Sequence, residues 1–263
     1  MELLQTTAGR RTERLSASSR FKGFKHEPLN DSRTSEISKD PDLERLKTAW
    51  GRCQPDPHEA FLITYQKIFE DVAAIGYSAK DIENLSLSLK AFQHESGFSV
   101  YAGLFLSALM NCSREGSFII HTAHIDRDIV ALGYKNVKDF VVDGPVGLCV
   151  GYHMEGGTIR VDGNADWNAG DGMKDGKLIV QGDAGLNVGY EMRGGDVIVT
   201  GCAGDFTGVR MNGGSITIEK DAGQMIGDGM TGGEIRLNGR YTGISRDCYG
   251  GKIFHGGKRI QPK

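Results

Sequence analysis

The densest run of ligand-type and acid–base side chains is His121-Thr122-Ala123-His124-Ile125-Asp126. Two imidazoles and a carboxylate so close together have the composition of a metal site or of a His–Asp proton relay. Their spacing limits both uses. On a continuous strand, residues three apart face opposite sides, so His121 and His124 meet at one ion only across a bend. A strand end running into a turn accounts for the same residues. His94-Glu95-Ser96 supplies a base, an acid and a hydroxyl, but adjacency in the chain does not put a nucleophile within reach of its base. Gly243-Ile244-Ser245-Arg246-Asp247 approaches the G-x-S-x-G elbow and lacks its last glycine.

Cysteine chemistry is poorly provided for. Cys53, Cys112, Cys149, Cys202 and Cys248 are odd in number and form no C-x-x-C pair, which disfavours a zinc knuckle, a cluster held by this chain alone or a disulfide framework. Cys53, Cys112 and Cys149 have no basic residues grouped around them to depress a thiol pKa. The net charge of −3 gives no basic field for nucleic acid or anionic lipid, and no apolar run approaches a membrane span. With no apolar leader at the N-terminus, the expected location is the cytoplasm. No residue is assigned a catalytic, cofactor-binding or metal-ligating role, and no cofactor is expected.

The elements that would position these residues fall into three regions. Residues 1–44 are polar and mixed in charge, with no sustained period, and read as a mobile tail. Residues 45–139 read as a small α+β cap. Phe61, Ile63, Tyr65, Ile68, Phe69, Val72 and Ile75 outline a helix that stops at Gly76. Leu85, Leu87 and Leu89 alternate with polar residues as in a half-buried strand. Residues 101–110 form an apolar helix, and Phe118-Ile119-Ile120 a buried strand.

Residues 140–263 are dominated by a repeat. Met154, Met173, Met192, Met211 and Met230 recur every 19 residues, with Tyr249 next in that register. Gly151, Gly170, Gly189, Gly208 and Gly227 keep the same spacing without exception, and double glycines follow most of the methionines. Each unit carries two apolar residues two apart, such as Ile159/Val161 and Val197/Val199, which in a strand share one face. A 19-residue unit is too short for a strand plus a full helix and cannot bury its own apolar side. Stacked as coils, such units make ladders of Ile, Val, Ala and Met with glycine at the corners. The predicted fold is mainly β: a right-handed, single-stranded parallel β-helix of about six coils behind an N-terminal α+β cap. The Met column reads as core packing rather than a copper site. A calcium β-roll is disfavoured because the position before the repeat glycine reads Asp143, Asp162, Gln181, Thr200, Glu219 and Asn238. Glycines in the unbroken Gly189 column are expected to be more constrained than Gly195. The row His153, Gly172, Glu191, Arg210 and Gly229 forms a polar edge, either solvated or a docking strip.

Asp183-Ala184-Gly185-Leu186-Asn187-Val188-Gly189 through Gly195, and Cys202-Ala203-Gly204 through Gly214, resemble the GXGXG-motif domain. That domain is the C-terminal β-helix of the glutamate synthase large subunit, and it makes up most of one subunit of formylmethanofuran dehydrogenase. The resemblance spans roughly residues 140–255. It implies a rigid, non-catalytic structural or assembly subunit whose partners are other subunits of an oxidoreductase or amidotransferase-type synthase complex, with redox centres elsewhere. Residues 107–111 and 118–122 are also similar to the leading region of stand-alone relatives labelled tributyrin esterases. They imply an alternative: a small-ester or metal-dependent hydrolase using the cap.

Overall fold

The structure, a computed structural model, describes residues 41–52 and 59–260. Most of the expected tail, and Cys53, lie outside the described residues; helix α1 (Pro41–Arg52) already occupies positions 41–44. It buries Leu43, Leu46, Ala49 and Trp50. Helix α2 (Phe61–Ala73) turns Thr64, Tyr65, Ile68 and Val72 inward. That stripe has the i, i+3/i+4, i+7 spacing of a core-facing helix, and it leaves Ile63 and Phe69 exposed, contrary to the broader face read from the sequence.

Helix α3 (Ala79–Ser88) replaces the strand expected from Leu85, Leu87 and Leu89. Ser78 and Asp81 form a reciprocal capping box: the Ser78 hydroxyl accepts from the Asp81 N–H, and the Asp81 carboxylate accepts from the Ser78 N–H at 2.7 Å. The cap starts a helix that buries Ile82 and Leu85, and Leu89, which opens the following 3₁₀ turn, is buried with them. Leu87 is buried as well, because other elements pack on that side. A 3₁₀ turn (Leu89–Phe92) and helix α4 (Phe98–Cys112) complete the helical region; α4 is buried from Tyr101 to Met110. Ser107 joins α4 to the first coil, its hydroxyl accepting the N–H groups of Gly133 and Tyr134 and donating to the Gly103 carbonyl. No helix among the described residues is long and apolar enough to cross a membrane.

The remaining chain is a parallel β-solenoid. Nine strands form one sheet in sequence order: β1 (Ser117–His121), β2 (Asp139–Asp143), β3 (Glu155–Val161), β4 (Asp175–Val180), β5 (Asp196–Val199), β6 (Ser215–Ile218), β7 (Glu234–Leu237), β8 (Lys252–His255) and β9 (Lys258–Ile260). β1 to β8 pair in parallel, giving about seven coils; β9 folds back antiparallel. The strand assigned to the cap, residues 118–120, is therefore the first rung of the solenoid, and the cap is helical rather than α+β. A second ladder runs Val146–Ala165–Ala184–Ala203–Ala222–Tyr241.

Inward ladders are dry. Val161, Val180, Val199, Ile218 and Leu237 stack in register, and all but Leu237, at 1%, have no exposed surface. The five methionines are likewise fully buried. Each side chain crosses to the next coil: a Cβ on Gly195 would lie 2.6 Å from the Met173 methyl carbon. The double glycine thus makes room for the preceding coil's methionine. Tyr249 does not continue the column. Ala222 pairs with Tyr241 but Ile226 pairs with Ile244, so this coil is one residue shorter. Tyr249 N–H bonds the Met230 carbonyl just as Thr231 N–H bonds that of Met211. Cys248 therefore takes the methionine place, and Tyr249 is 76% exposed.

Candidate functional site

The fold divides the 121–126 cluster. His121 closes β1 and faces Asp143, its register partner at the end of β2. Its Nδ1 lies 3.0 Å from Asp143 Oδ2, and its Nε2 lies 3.4 Å from Glu83 Oε1 on α3. Glu83 is held from the other side by Lys80, 2.9 Å from Oε2. The His121 N–H donates to Ser86 Oγ at 3.0 Å, and Ser86 Oγ donates to the Glu83 carbonyl. Burial by itself would depress the imidazole pKa, but the two carboxylates outweigh it and hold the ring above its ordinary value. Burial likewise disfavours a charged Glu83, and hydrogen bonds from His121 and Lys80 overcome it, bringing its pKa down to about 2.

This arrangement limits the chemistry. An imidazolium donating from both nitrogens has no lone pair for a proton or a metal. His124 lies past the strand end, in the turn; neither ring nitrogen is in hydrogen-bonding geometry, even toward the nearby Leu87 backbone, and burial pushes its pKa down. Asp126 is exposed and engages Gln93 and Lys90. Among the described residues no three His, Cys, Asp or Glu side chains are grouped to hold a metal ion.

The other sequence candidates are also dispersed. Glu95 accepts from the Trp50 indole at 2.9 Å, while His94 and Ser96 face solvent. Ser245 is 2% exposed, and its hydroxyl donates to Asp228 at 2.6 Å. Burial pushes the Cys112 and Cys149 thiols up to about 11, and raises Cys248 as well. The row His153, Gly172, Glu191, Arg210, Gly229 lies at a left-handed corner and is partly self-satisfied: Arg210 pairs with Glu191 at 3.1 Å, and His153 stacks on Tyr152 with ring centroids 4.1 Å apart.

A different edge carries the feature that sequence reasoning missed. Two residues beyond the Val146, Ala165 and Ala184 rungs, Leu148 (37%) and Trp167 (51%) stand exposed with Leu186 half-buried; Phe206 (36%) and Met225 (37%) stand exposed three residues beyond Ala203 and Ala222. Backbone bonds from Cys149 N–H to the Trp167 carbonyl, Asn168 to Leu186, Asn187 to Asp205 and Phe206 to Gln224 hold these segments side by side. Trp167 lies across Gly185 of the next coil, where a Cβ would come 2.5 Å from its Cδ1, and Leu186 lies similarly across Gly204. Leu148, Trp167 and Leu186 therefore form one column over roughly 10 Å, at about 4.8 Å per coil; Asp205 and Gln224 continue it, while Phe206 and Met225 stand in the adjacent left-handed column with Cys149, Asn168 and Asn187. The Asp166, Asp183 and Asp205 carboxylates, the last within the same column, accept backbone N–H groups of Trp167, Cys202 and Gln224, and none of the three forms an ion pair among the described residues. The signal escaped column counting because Phe206 and Met225 stand one place later in their coils than Leu148, Trp167 and Leu186.

The sequence matches no family model, and no curated protein matches it.

Proposed function

We propose that the protein is a non-catalytic assembly subunit whose solenoid flank docks another subunit of an oxidoreductase or amidotransferase-type synthase complex. The observation that carries this reading is the apolar patch of Leu148, Trp167 and Leu186, with Phe206 and Met225 in the adjacent column. Exposed apolar side chains in two adjacent columns on a rigid lattice, interspersed with carboxylates, have the composition of a docking surface. The resemblance of residues 140–255 to GXGXG domains supports the same reading. So does the arrangement at His121, whose nitrogens are both spent on holding α3 to β1 and β2.

The test is isolation of the full chain from its native cells as a stoichiometric complex by affinity capture and size exclusion. The expected result is a complex with flavin or iron–sulfur absorbance, held by wild type and by Glu83→Gln but released by Trp167→Glu. Saturable ester hydrolysis by the chain alone, abolished by Ser96→Ala or His121→Ala in a folded protein, would overturn the reading in favour of a hydrolase.

A further inference from the structure

The joint between the helical region and the first coil holds a histidine whose polar atoms are unpaired. β1 ends at His121, and the Thr122 and Ala123 N–H groups still donate to the Asp143 carbonyl. The chain then turns, closed by the Ile125 N–H on the Thr122 carbonyl. His124 sits inside this turn. Its ring is only partly covered, yet both nitrogens are shut away from water with no hydrogen-bond partner among the described residues. A neutral imidazole carries one donor and one acceptor, so both are buried unsatisfied.

The groups around the ring leave no place for a proton. The 3₁₀ turn brings the Lys90 ammonium, and β1 brings the His121 imidazolium. The carboxylates at the joint are committed elsewhere: Asp143 and Glu83 to His121, and Asp126 to Gln93 and Lys90. α3 presents only its backbone near Leu87. A proton on His124 would therefore bury a third positive charge beside two others, with no carboxylate of its own. Burial is the larger obstacle, His121 and Lys90 add to it, and Asp143 pulls weakly the other way, so the ring titrates below its ordinary 6.5. The ties that span the joint, from Gln93 and Lys90, end on Asp126, whose side chain is exposed, so water can replace them.

We infer that His124 is an acid release built into the roof of the solenoid: below neutral pH its ring takes up a proton, turns out to water, and frees residues 87–92 from the 122–126 turn. The roof hinges rather than detaches, because His121 still holds Glu83 on α3. The sign follows from proton counting. The opened His124 binds a proton near pH 6.5 and the closed one only at lower pH, so opening takes up a proton between those values and is favoured as pH falls. The opening constant can rise by at most about tenfold per pH unit in that window. His121 cannot produce this trend, since its contribution is complete below 6.5, and that of Glu83 is lost only below 4.5.

Hydrogen exchange of the full chain, followed by peptide mass spectrometry from pH 7.5 to pH 5 and corrected for the intrinsic pH dependence of exchange, reads the opening. Protection of residues 87–92 should fall severalfold between pH 6.5 and pH 5.5, with about tenfold as the ceiling. Protection of the inward strands β4 and β5 should stay constant. His124→Phe removes the titrating group and should abolish the fall. His124→Gln keeps a polar side chain that cannot ionise; it should also abolish the fall, and it serves if the phenylalanine chain does not fold. Constant protection in wild type, or the same fall in the variants, would overturn the proposal. A rise in protection on acidification would overturn it as well, by showing that the imidazolium reaches the Leu87 carbonyl and tightens the joint. So would an equal fall in β4 and β5, which would mean that the whole chain opens rather than the roof.

Discussion

A histidine clamped between two carboxylates commonly signals catalysis, yet at His121 the second carboxylate removes that option. Asp143 orients the ring as in a proton relay; Glu83 occupies the nitrogen that a substrate or metal would need. The pair becomes a staple between α3 and the first two rungs, with a definite pH signature. The folded His121 pKa lies above its ordinary 6.5, so its contribution is complete below that pH and is lost as pH rises through the folded value. Glu83 behaves oppositely: its folded pKa of about 2 lies below 4.5, so its contribution is present above pH 4.5 and is lost as pH falls toward 2. The urea midpoint of wild type should decline on both sides. His121→Gln should remove the alkaline decline and cost about 1–3 kcal/mol near pH 6. A wild-type midpoint that stays flat from about pH 6 to pH 9 would mean that the imidazolium holds nothing together. The sequence singled out His121, but Asp143 figured only in the column that disfavours calcium, and Glu83 belonged, through a secondary-structure error, to a segment read as preceding a strand, so both of its partners were hidden.

That error is instructive about elements. Leu85, Leu87 and Leu89 satisfy a two-residue period, while Ile82, Leu85 and Leu89 also satisfy a helical one; the deciding signal is Ser78–Asp81, which caps a helix and has no role before a strand. In the solenoid, by contrast, each period repeats coil after coil, and periodicity alone specified the inward ladders. Val199→Asp should bury an unpaired charge between Val180 and Ile218 at a cost of several kcal/mol, lowering the melting temperature by roughly 10 °C or more. A shift within about 2 °C would mean that the column faces water. Glycine ranking was less legible. Gly189 and Gly195 both have positive φ, +68° and +78°. At Gly189 an added Cβ meets the end of the Ile216 side chain, whereas at Gly195 it meets the Met173 methyl and, at 2.7 Å, the Gly176 carbonyl oxygen. Backbone cannot step aside as a side-chain tip can. Gly195→Ala should therefore cost about 1–3 kcal/mol in urea titration, not the small amount expected of a tolerant position. An unchanged midpoint would remove the close approach that the methionine column depends on.

At the scale of the whole molecule, the repeat made the architecture readable from Phe140 onward, and the irregular coils were where reading stopped. The register advances 22 residues from β1 to β2, 19 at each of the next five steps and 18 at the last parallel one, so the first rung and the Cys248 position escaped a strict 19-residue count. The two ends of the sheet are closed by unlike devices. Helix α3 packs on β1, and Ser86 takes the His121 N–H. At the far end the Gly256–Gly257 turn, with φ of +54° and +78°, folds β9 back so that Lys258 and Arg259 line the final edge. This asymmetry sets a limit on self-assembly. Removing residues 256–263 bares one growing face while the other stays roofed. Two truncated chains can join only tail to tail about a two-fold axis, and nothing remains for a third to add to. Analytical ultracentrifugation of the truncated chain should find a dimer that does not grow with concentration. A ladder of longer species would mean that the helical roof lifts, and that the molecule is one deletion away from a fibre.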